Sequence, residues 1–313
     1  MSPVVEVEGL VKRYRKSKVN AVDGISLRVE AGEFFALLGP NGAGKTTTIS
    51  ILTTTLAPTS GRVRIAGHDL RSEASAVRRQ VGIIFQNPSL DMNLSGEENV
   101  RLHAILYGLY PYRPAFRLMP AGYRHQVHDL AAVLGMGPEI FQPAKKLSGG
   151  MQRKLEIIRG LMHRPQVLFL DEPTRGLDVA SRRSLWAYLR EVRERHKVTI
   201  VLTTHYLEEA EQADRLCILN HGRIVAMGAP SDVKSQPLEE YLEIDAADRA
   251  QLRRELHQHQ LEFAEDGAFT VRLRGRSAHE VIRELETPLT RLRTRQPSLE
   301  DAYLRILAEE TDE

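Results

Sequence analysis

Gly39-Pro40-Asn41-Gly42-Ala43-Gly44-Lys45-Thr46-Thr47 directly follows the apolar run Phe34-Phe35-Ala36-Leu37-Leu38. A buried strand, a GxxxxGK[ST] loop and a helix are together the parts of a phosphate-binding loop. The glycines permit a tight turn of inward-facing N–H groups, and the helix beginning near Lys45 adds its positive dipole end. Lys45 is expected to reach the β- and γ-phosphates, and the Thr46 hydroxyl to ligate Mg²⁺. A glycine-rich turn without a ligand is the alternative, but the preceding strand favours a nucleoside triphosphate site.

The overall composition is that of an ordinary globular protein. The 313 residues suggest about two domains, and 42% of them are hydrophobic and 27% charged. The net charge of +2 predicts no nucleic-acid partner. No run approaches the roughly 20 apolar residues of a membrane span, and the N-terminus lacks the pattern of a secretory signal. The single cysteine, Cys217, is expected to be a buried small hydrophobe. We expect the protein in the cytoplasm or on the cytoplasmic face of a membrane.

Strands and helices alternate along most of the chain. Alternating strands are predicted at 5–8 and 25–29, and buried apolar strands at 167–170 and 198–202. Residues from about 88 to 165 have helical patterns and no β-rich run, which indicates a helical insertion. This alternation predicts an α/β fold with a layered core. Together with the phosphate loop it resembles a P-loop NTPase, which implies a RecA-like core with an N-terminal antiparallel β subdomain and a helical subdomain.

The pattern changes near residue 240, so we predict an ATPase domain over 1–239 and an accessory α+β domain over 240–313. The latter has a β-α-β-β-α-β order and a last helix over 298–309. Its strands are predicted at 241–244, 261–264, 269–273 and 289–293, and its helices at 247–258 and 277–286. It contains no glycine-rich loop and no cluster of catalytic residue types, so an accessory role is expected.

Two consecutive acids follow the buried strand Val167-Leu168-Phe169-Leu170. Successive strand residues point to opposite faces, but a turn at the strand end can bring both carboxylates toward a nucleotide. Asp171 is then expected to hold the Mg²⁺ shell, and Glu172 to orient or deprotonate the attacking water. A solvated acidic turn is the alternative, which the phosphate loop disfavours.

A third motif, Leu147-Ser148-Gly149-Gly150-Met151-Gln152, opens a helix with Ser148 as a good N-cap. By itself this could be simply a capped helix. Together with the phosphate loop and the acid pair, however, it resembles the nucleotide-binding subunit of an ATP-binding cassette (ABC) transporter over residues 1 to about 235. The resemblance implies that two copies sandwich two ATP molecules head to tail. The segment contacting the partner's ATP would comprise Ser148, Gly149, Gly150, Met151 and Gln152.

The resemblance also implies roles for single residues. Gln86 is similar to the glutamine that contacts Mg²⁺ or water, and His205 to the histidine that contacts the γ-phosphate. With Glu172 these two would form the catalytic set, and Thr46, Gln86 and Asp171 the metal site. Tyr14 resembles the aromatic residue that stacks on adenine, and Asp178 the acid that bridges the two subunits.

The chain departs from the family pattern at Met151, where glutamine is common, and at Arg175, where small residues are common. The segments 91–100 and 297–303 resemble the daunorubicin/multidrug exporter group. That group works with a separate polytopic membrane permease, so a peripheral location on the cytoplasmic face is implied.

Two alternatives to a transporter ATPase stay open at this point. The first is a cassette protein acting on ribosomes or DNA, although the sequence contains no second GxxxxGK[ST] motif and no long heptad region. The second is a nucleotide-switched scaffold with little turnover, against which the presence of Glu172 and His205 argues.

Overall fold

A computed structural model describes residues 3–86, 89–235, 241–273, 276–295 and 298–309 of the protein. The chain forms two compact units, residues 1–227 and 228–313. The boundary expected at 239/240 lies outside the described residues, and the division falls earlier, since the helix Pro230–Ser235 belongs to the second unit. This helix packs against the last helix, Leu299–Glu309, which explains the difference.

The first unit combines two sheets with a helical segment. Its elements are β1 (Pro3–Lys12), β2 (Val22–Glu30), β3 (Phe34–Leu38), α1 (Lys45–Leu52), β4 (Ser60–Ile65), β5 (His68–Asp69), α2 (Ala74–Gln80), β6 (Val81–Ile84), α3 (Gly96–Leu106), α4 (Ala121–Val133), α5 (Gly149–Leu161), β7 (Val167–Asp171), α6 (Val179–His196), β8 (Thr199–Thr204), α7 (Leu207–Ala210), β9 (Arg215–Asn220) and β10 (Arg223–Gly228). Short 3₁₀ helices cover Phe116–Leu118, Glu139–Phe141 and Ala144–Lys146.

The central sheet positions the candidate site. Its strand order is β10-β9-β3-β8-β7-β6, and β3, β6, β7, β8 and β9 pair in parallel. Every residue of β3 and β7 is buried, as their continuous apolar runs predict. Because the strands are parallel, the segments that follow β3, β6, β7 and β8 emerge at the same edge, where ligands of such sheets bind.

The N-terminal sheet is antiparallel, with the order β2-β1-β4-β5. Its apolar residues alternate, so that Ile25, Leu27 and Val29 of β2 are buried while the residues between them are exposed. One face therefore packs on the core and the other meets solvent, as is common in antiparallel sheets.

The segment 89–165 contains α3, α4, α5 and the 3₁₀ helices, and no strand is assigned in it. Helix α3 begins with a capping box: Ser95 Oγ accepts from the Glu98 N–H at 3.2 Å, and Glu98 Oε2 accepts from the Ser95 N–H at 2.8 Å. The helical insertion predicted from the sequence is therefore present. Helix α2 was not predicted, because Val77 is its one buried residue and its apolar periodicity is short.

The second unit holds an antiparallel sheet in the order β12-β13-β11-β14. Its elements are α8 (Pro230–Ser235), β11 (Tyr241–Ala246), α9 (Arg249–Gln258), β12 (Phe263–Asp266), β13 (Ala268–Arg272), α10 (Ala278–Arg283), β14 (Leu289–Arg295) and α11 (Leu299–Glu309). Ile244, Leu252, Phe269 and Val281 contribute to its core. The predicted β-α-β-β-α-β order is observed; residue 297 of the exporter-like tail lies outside the described residues.

Cys217 is fully buried in β9, and burial raises the pKa of its thiol to about 12. This agrees with the expectation of a buried small hydrophobe. Within the ranges the structure describes, no helix is both long and apolar enough to cross a membrane.

Candidate active site

The phosphate loop connects β3 to α1 and leaves the start of that helix open. Gly44 precedes Lys45 with a left-handed backbone (φ 102°), and among the residues that the structure describes no side chain caps the helix. The first-turn N–H groups are therefore uncapped, as an anion site requires. A Cβ atom at Gly44 would lie 2.4 Å from the Ala21 carbonyl oxygen, so both the conformation and the space demand glycine.

Lys45 lies inside the loop, with only 5% of its surface exposed. Its ammonium donates to the carbonyl oxygens of Gly39 at 2.6 Å and Pro40 at 2.9 Å. Burial lowers the pKa of Lys45, while the nearby charges of Glu172 and Asp171 act in the opposite direction. A buried cation is thus placed between the loop and the two acids.

Asp171, at the end of β7, faces the phosphate-loop helix. Its Oδ1 accepts from Thr203 Oγ1 at 2.5 Å and from Thr46 Oγ1 at 3.3 Å. The Asp171 carboxylate and the Thr46 hydroxyl therefore lie together at the carboxyl edge of the sheet. These hard oxygen ligands are of the kind that Mg²⁺ prefers.

Glu172 has a left-handed backbone (φ 45°), unusual for a residue other than glycine. Strand alternation therefore stops after Asp171, and both acids lie at the same edge. Glu172 Oε2 accepts from Gln86 Nε2 at 3.0 Å, and Oε1 is 3.2 Å from His205 Nδ1. The carboxylate is buried, with 7% of the residue exposed. Three of the predicted residues, from segments after β6, β7 and β8, thus form one cluster.

Arg175 adds a guanidinium to this cluster. Its Nη1 lies 3.4 Å from Glu172 Oε2, and 61% of the Arg175 side chain is exposed. Solvent screens such a pair, so its contribution to stability is small. The unusual arginine thus lies beside the acid expected to be catalytic.

Tyr14 lies beside the phosphate-loop helix after β1. Its hydroxyl is 3.3 Å from Thr47 Oγ1, and the residue is 46% exposed. The Lys12 ammonium lies 5.6 Å from the ring centroid. An exposed aromatic ring next to the loop can offer a stacking surface to a base.

The Ser148–Gln152 segment forms the first turn of α5. Ser148 Oγ accepts from the Met151 N–H at 3.3 Å, and Gln152 Nε2 donates to Ala144 and Leu147 carbonyls at 3.2 Å each. Ser148 is thus the predicted N-cap. In the described part of the chain, no hydrogen bond or ion pair joins this segment to the phosphate loop.

Asp178 caps helix α6. Its carboxylate accepts from the Ser181 N–H at 2.9 Å and from the Ser181 hydroxyl at 2.8 Å, and these bonds hold the pKa of Asp178 below its usual value. A Cβ atom at Gly150 would lie 3.1 Å from Ser181 Oγ. Hence the start of α5 lies against the start of α6 in the same chain.

Several residues around this cluster were not predicted from the sequence. Thr203 binds Asp171, and Glu209 accepts from the hydroxyls of Thr174 and Thr204, with burial raising the pKa of Glu209. Arg153 of α5 donates to the Glu172 carbonyl at 3.3 Å. The polar spacing of α5, with charges three residues apart on a mostly buried helix, is the signal that could have pointed to Arg153.

This arrangement is that of a P-loop ATPase: a phosphate loop faces an acid pair from a neighbouring parallel strand. Residues 22–175 match the sequence model of the family described as "ABC transporter". The chain is 40% identical to the daunorubicin/doxorubicin resistance ATP-binding protein of Streptomyces peucetius over 254 residues, which cover 80% of this chain and 73% of the relative. It is 36% identical to the Nod factor export ATP-binding protein I of Burkholderia thailandensis, over 98% of this chain and 97% of the relative.

Solved structures agree with these relatives. An ATP-binding subunit of an ABC transporter matches with a TM-score of 0.64 and 31% identity, over 74% of this chain and 92% of that one. A dimeric ATP-binding cassette in a post-hydrolysis state, bound to ADP and Pi, matches with a TM-score of 0.63 and 26% identity. The match covers 72% of this chain and 98% of that one. The chain belongs to the ABC transporter family and is an ATP-binding, ATP-hydrolysing subunit, and the predicted P-loop NTPase fold is confirmed.

Proposed function

We propose that two copies of this ATPase close around two molecules of Mg²⁺-bound ATP and power export through a separate membrane permease. The observation that carries the proposal is the Glu172 carboxylate, which contacts both Gln86 and His205. Polar residues from three strand ends would thereby surround the bond to be hydrolysed. The alternative of a cassette acting on ribosomes is not favoured, since the relatives above are named for drug resistance and Nod factor export.

Nucleotide binding would use the open start of α1. The uncapped N–H groups would donate to phosphate oxygens, and Lys45 would exchange its loop carbonyl partners for the β- and γ-phosphates. Thr46, Asp171 and Gln86 would hold Mg²⁺, whose charge offsets that of the phosphates. Their side-chain oxygens fit that ion, and two of them already meet at 3.3 Å.

In hydrolysis, Glu172 would orient the attacking water and accept its proton. His205, at the end of β8, would contact the γ-phosphate, and Gln86 would hold the water or the metal shell. In the structure both side chains contact the Glu172 carboxylate. Binding of ATP would redirect these contacts toward the nucleotide.

The second copy would complete each site. Helix α5 begins with the Ser148–Gly150 segment, whose N–H groups and dipole suit a phosphate, yet the described residues place no phosphate loop of the same chain against it. A head-to-tail dimer would bring this segment to the partner's γ-phosphate. Asp178, at the nearby start of α6, would then lie at the subunit interface.

Replacing Tyr14 with alanine is expected to weaken ATP binding without removing hydrolysis. Stacking of a base on an aromatic ring contributes about 1–3 kcal/mol, which corresponds to about 5- to 150-fold in affinity. Titration calorimetry with ATP measures the loss, and Tyr14→Trp, which keeps an aromatic surface, is the matched control. Equal ATP affinities of the alanine and tryptophan variants would show that Tyr14 does not stack on the base.

A permease would dock on the exposed apolar face of α3. Leu102 and Leu106 are 42% and 84% exposed and four residues apart, so they share one face of that helix. Tyr107 follows with 37% exposure. Exposed apolar groups of this kind favour a protein partner, which would keep the ATPase at the cytoplasmic face of the membrane. By resemblance to the multidrug exporter group, the cargo would be a drug or antibiotic, a lipid or a polysaccharide.

Changing Leu106 to aspartate is expected to prevent recovery of the permease. The assay loads tagged Glu172→Gln protein with ATP, extracts native membranes and identifies the co-purifying proteins by mass spectrometry. A polytopic permease should accompany the parent but not the Leu106→Asp variant, since a charge in an apolar interface is strongly unfavourable. Melting temperature and ATP affinity should be unchanged.

The matched control is Leu304→Asp, at a leucine of α11 that is 60% exposed. This control should still recover the permease. Recovery of ribosomes or of soluble partners alone would contradict the export proposal while leaving the ATPase intact.

A further inference from the structure

We propose that Arg153 is a positioning residue: it ties the geometry of Glu172 to helix α5, the helix that begins with the Ser148–Gly150 segment. The inference rests on the role given to Glu172 above. Arg153 contacts the backbone carbonyls of residues 171–173, called the acid turn below, and not the Glu172 carboxylate.

The Arg153 guanidinium joins two separate segments of the site. It is 5% exposed, and its Nη1 donates to the Phe85 carbonyl at 2.5 Å while its Nε donates to the Pro173 carbonyl at 2.9 Å. Its Nη2 donates to the carbonyls of Glu172 at 3.3 Å and Asp171 at 3.4 Å. One side chain thus binds three consecutive carbonyls of the acid turn and the residue before Gln86.

These bonds fall where the backbone needs support. Glu172 has a positive φ of 45°, and a conformation of this kind persists only where the surroundings hold it. Thr203 holds the Glu172 N–H from one side, through its hydroxyl at 3.0 Å and its carbonyl at 3.2 Å. Arg153 holds the carbonyl side. Arg153 also binds the carbonyl of Phe85, the residue before Gln86. It therefore sets the distance between the backbone segments that carry Glu172 and Gln86.

The charge of Arg153 is balanced within α5. Glu156, which is fully buried, binds Arg153 Nη1 at 2.8 Å and accepts from the Ser89 N–H at 2.9 Å. Arg159, a further turn along, donates to the Ser89 carbonyl at 2.6 Å and to its hydroxyl at 2.5 Å. Helix α5 therefore holds the chain before and after Gln86.

A displacement of α5 would consequently move the Glu172 and Phe85 carbonyls with it. The same helix carries Ser148 at its start, so engagement of that segment by the partner's ATP would set the position of the catalytic carboxylate. Only a planar fork of five N–H donors can serve this many carbonyls, and a lysine ammonium, with three donors on one atom, cannot.

The test measures turnover and nucleotide affinity of Arg153→Lys, Arg153→Met and the double variant Arg153→Met/Glu156→Gln. The double variant avoids leaving the buried Glu156 carboxylate with only the longer ion pair to Arg159, at 3.8 Å. We expect kcat to fall by about 10- to 100-fold in the methionine variants, the size of a small misplacement of catalytic groups, and by less in the lysine variant. The ATP dissociation constant should stay within about twofold of the parent, because the phosphate loop is untouched. The methionine variants should also accumulate an ATP-bound dimer.

Lys154→Met is the matched control. Lys154 is the next residue of α5, and its ammonium donates to the Tyr188 hydroxyl at 2.8 Å and not to the carbonyls of residues 171–173. Its kcat should equal that of the parent. The proposal is overturned if the Arg153 variants keep the parent kcat, if kcat and ATP affinity fall together, or if all three fail to fold.

Failure of the proposed function would look different. If Glu172→Gln retains turnover, the assignment of Glu172 fails irrespective of Arg153. If Glu172→Gln is inactive and the Arg153 variants are fully active, only the present inference fails.

Discussion

Glu172→Gln is expected to remove ATP turnover while preserving ATP binding. The amide has nearly the same size and keeps an oxygen for Gln86, but it cannot accept a proton from water. Loss of a general base lowers the rate by about 10²–10⁴-fold. The bound nucleotide should then hold two copies together, so that size-exclusion chromatography with ATP shows a dimer and a phosphate-release assay shows no product.

Glu194→Gln is the matched control for this variant, because Glu194 is an exposed acid of α6. It should hydrolyse ATP at the parent rate and form no lasting dimer. Near-normal turnover in Glu172→Gln would show that another group activates the water.

Lys45→Met should abolish ATP binding itself. The methionine side chain is of similar length but carries no charge, and the phosphates would enter a buried site without their cation. Truncating one partner of a buried charge pair costs about 2–5 kcal/mol, which is about 30- to 4,000-fold in affinity. Titration calorimetry should therefore detect little or no binding at micromolar ATP, and hydrolysis should be lost with it.

The control is Lys197→Met, at the exposed end of α6. It removes the same charge from the surface and should leave the affinity unchanged. An ATP affinity of Lys45→Met close to that of the parent would contradict the phosphate-loop role of this lysine. Together the two variants should separate ATP binding from ATP hydrolysis. Glu172→Gln should bind ATP without hydrolysing it, and Lys45→Met should neither bind nor hydrolyse it.

Much of the fold could be predicted because it depends on local patterns. The runs of β3 and β7 are apolar throughout, which is typical of strands buried on both faces, and every one of their residues is buried. The order of strands and helices in the second unit followed from alternation in the same way. Helix α2 escaped prediction because a short helix with Val77 as its one buried residue has little periodicity.

Less of the candidate site could be predicted from the sequence. The acid pair at the end of a buried strand let the sequence predict that Asp171 approaches the phosphate loop, whereas Gln86 and His205 were implied only by the resemblance to the family. The roles of all three stay predictions until the variants are measured. The sequence could not predict the left-handed backbone of Glu172, which depends on hydrogen bonds from distant segments. Nor could it predict the carbonyl contacts of Arg153, because they join positions up to 68 residues apart in the chain.

The buried thiol in β9 makes the natural chain a ready background for site-specific labelling. Cys217 is the only cysteine of the sequence, is fully buried and has a pKa of about 12. Since the thiolate is the reactive species, only about one molecule in 10⁵ would carry it at neutral pH. A cysteine introduced on the surface of α5 could therefore be coupled to a fluorophore without removing the native one, and the movement of that helix could be followed during ATP turnover.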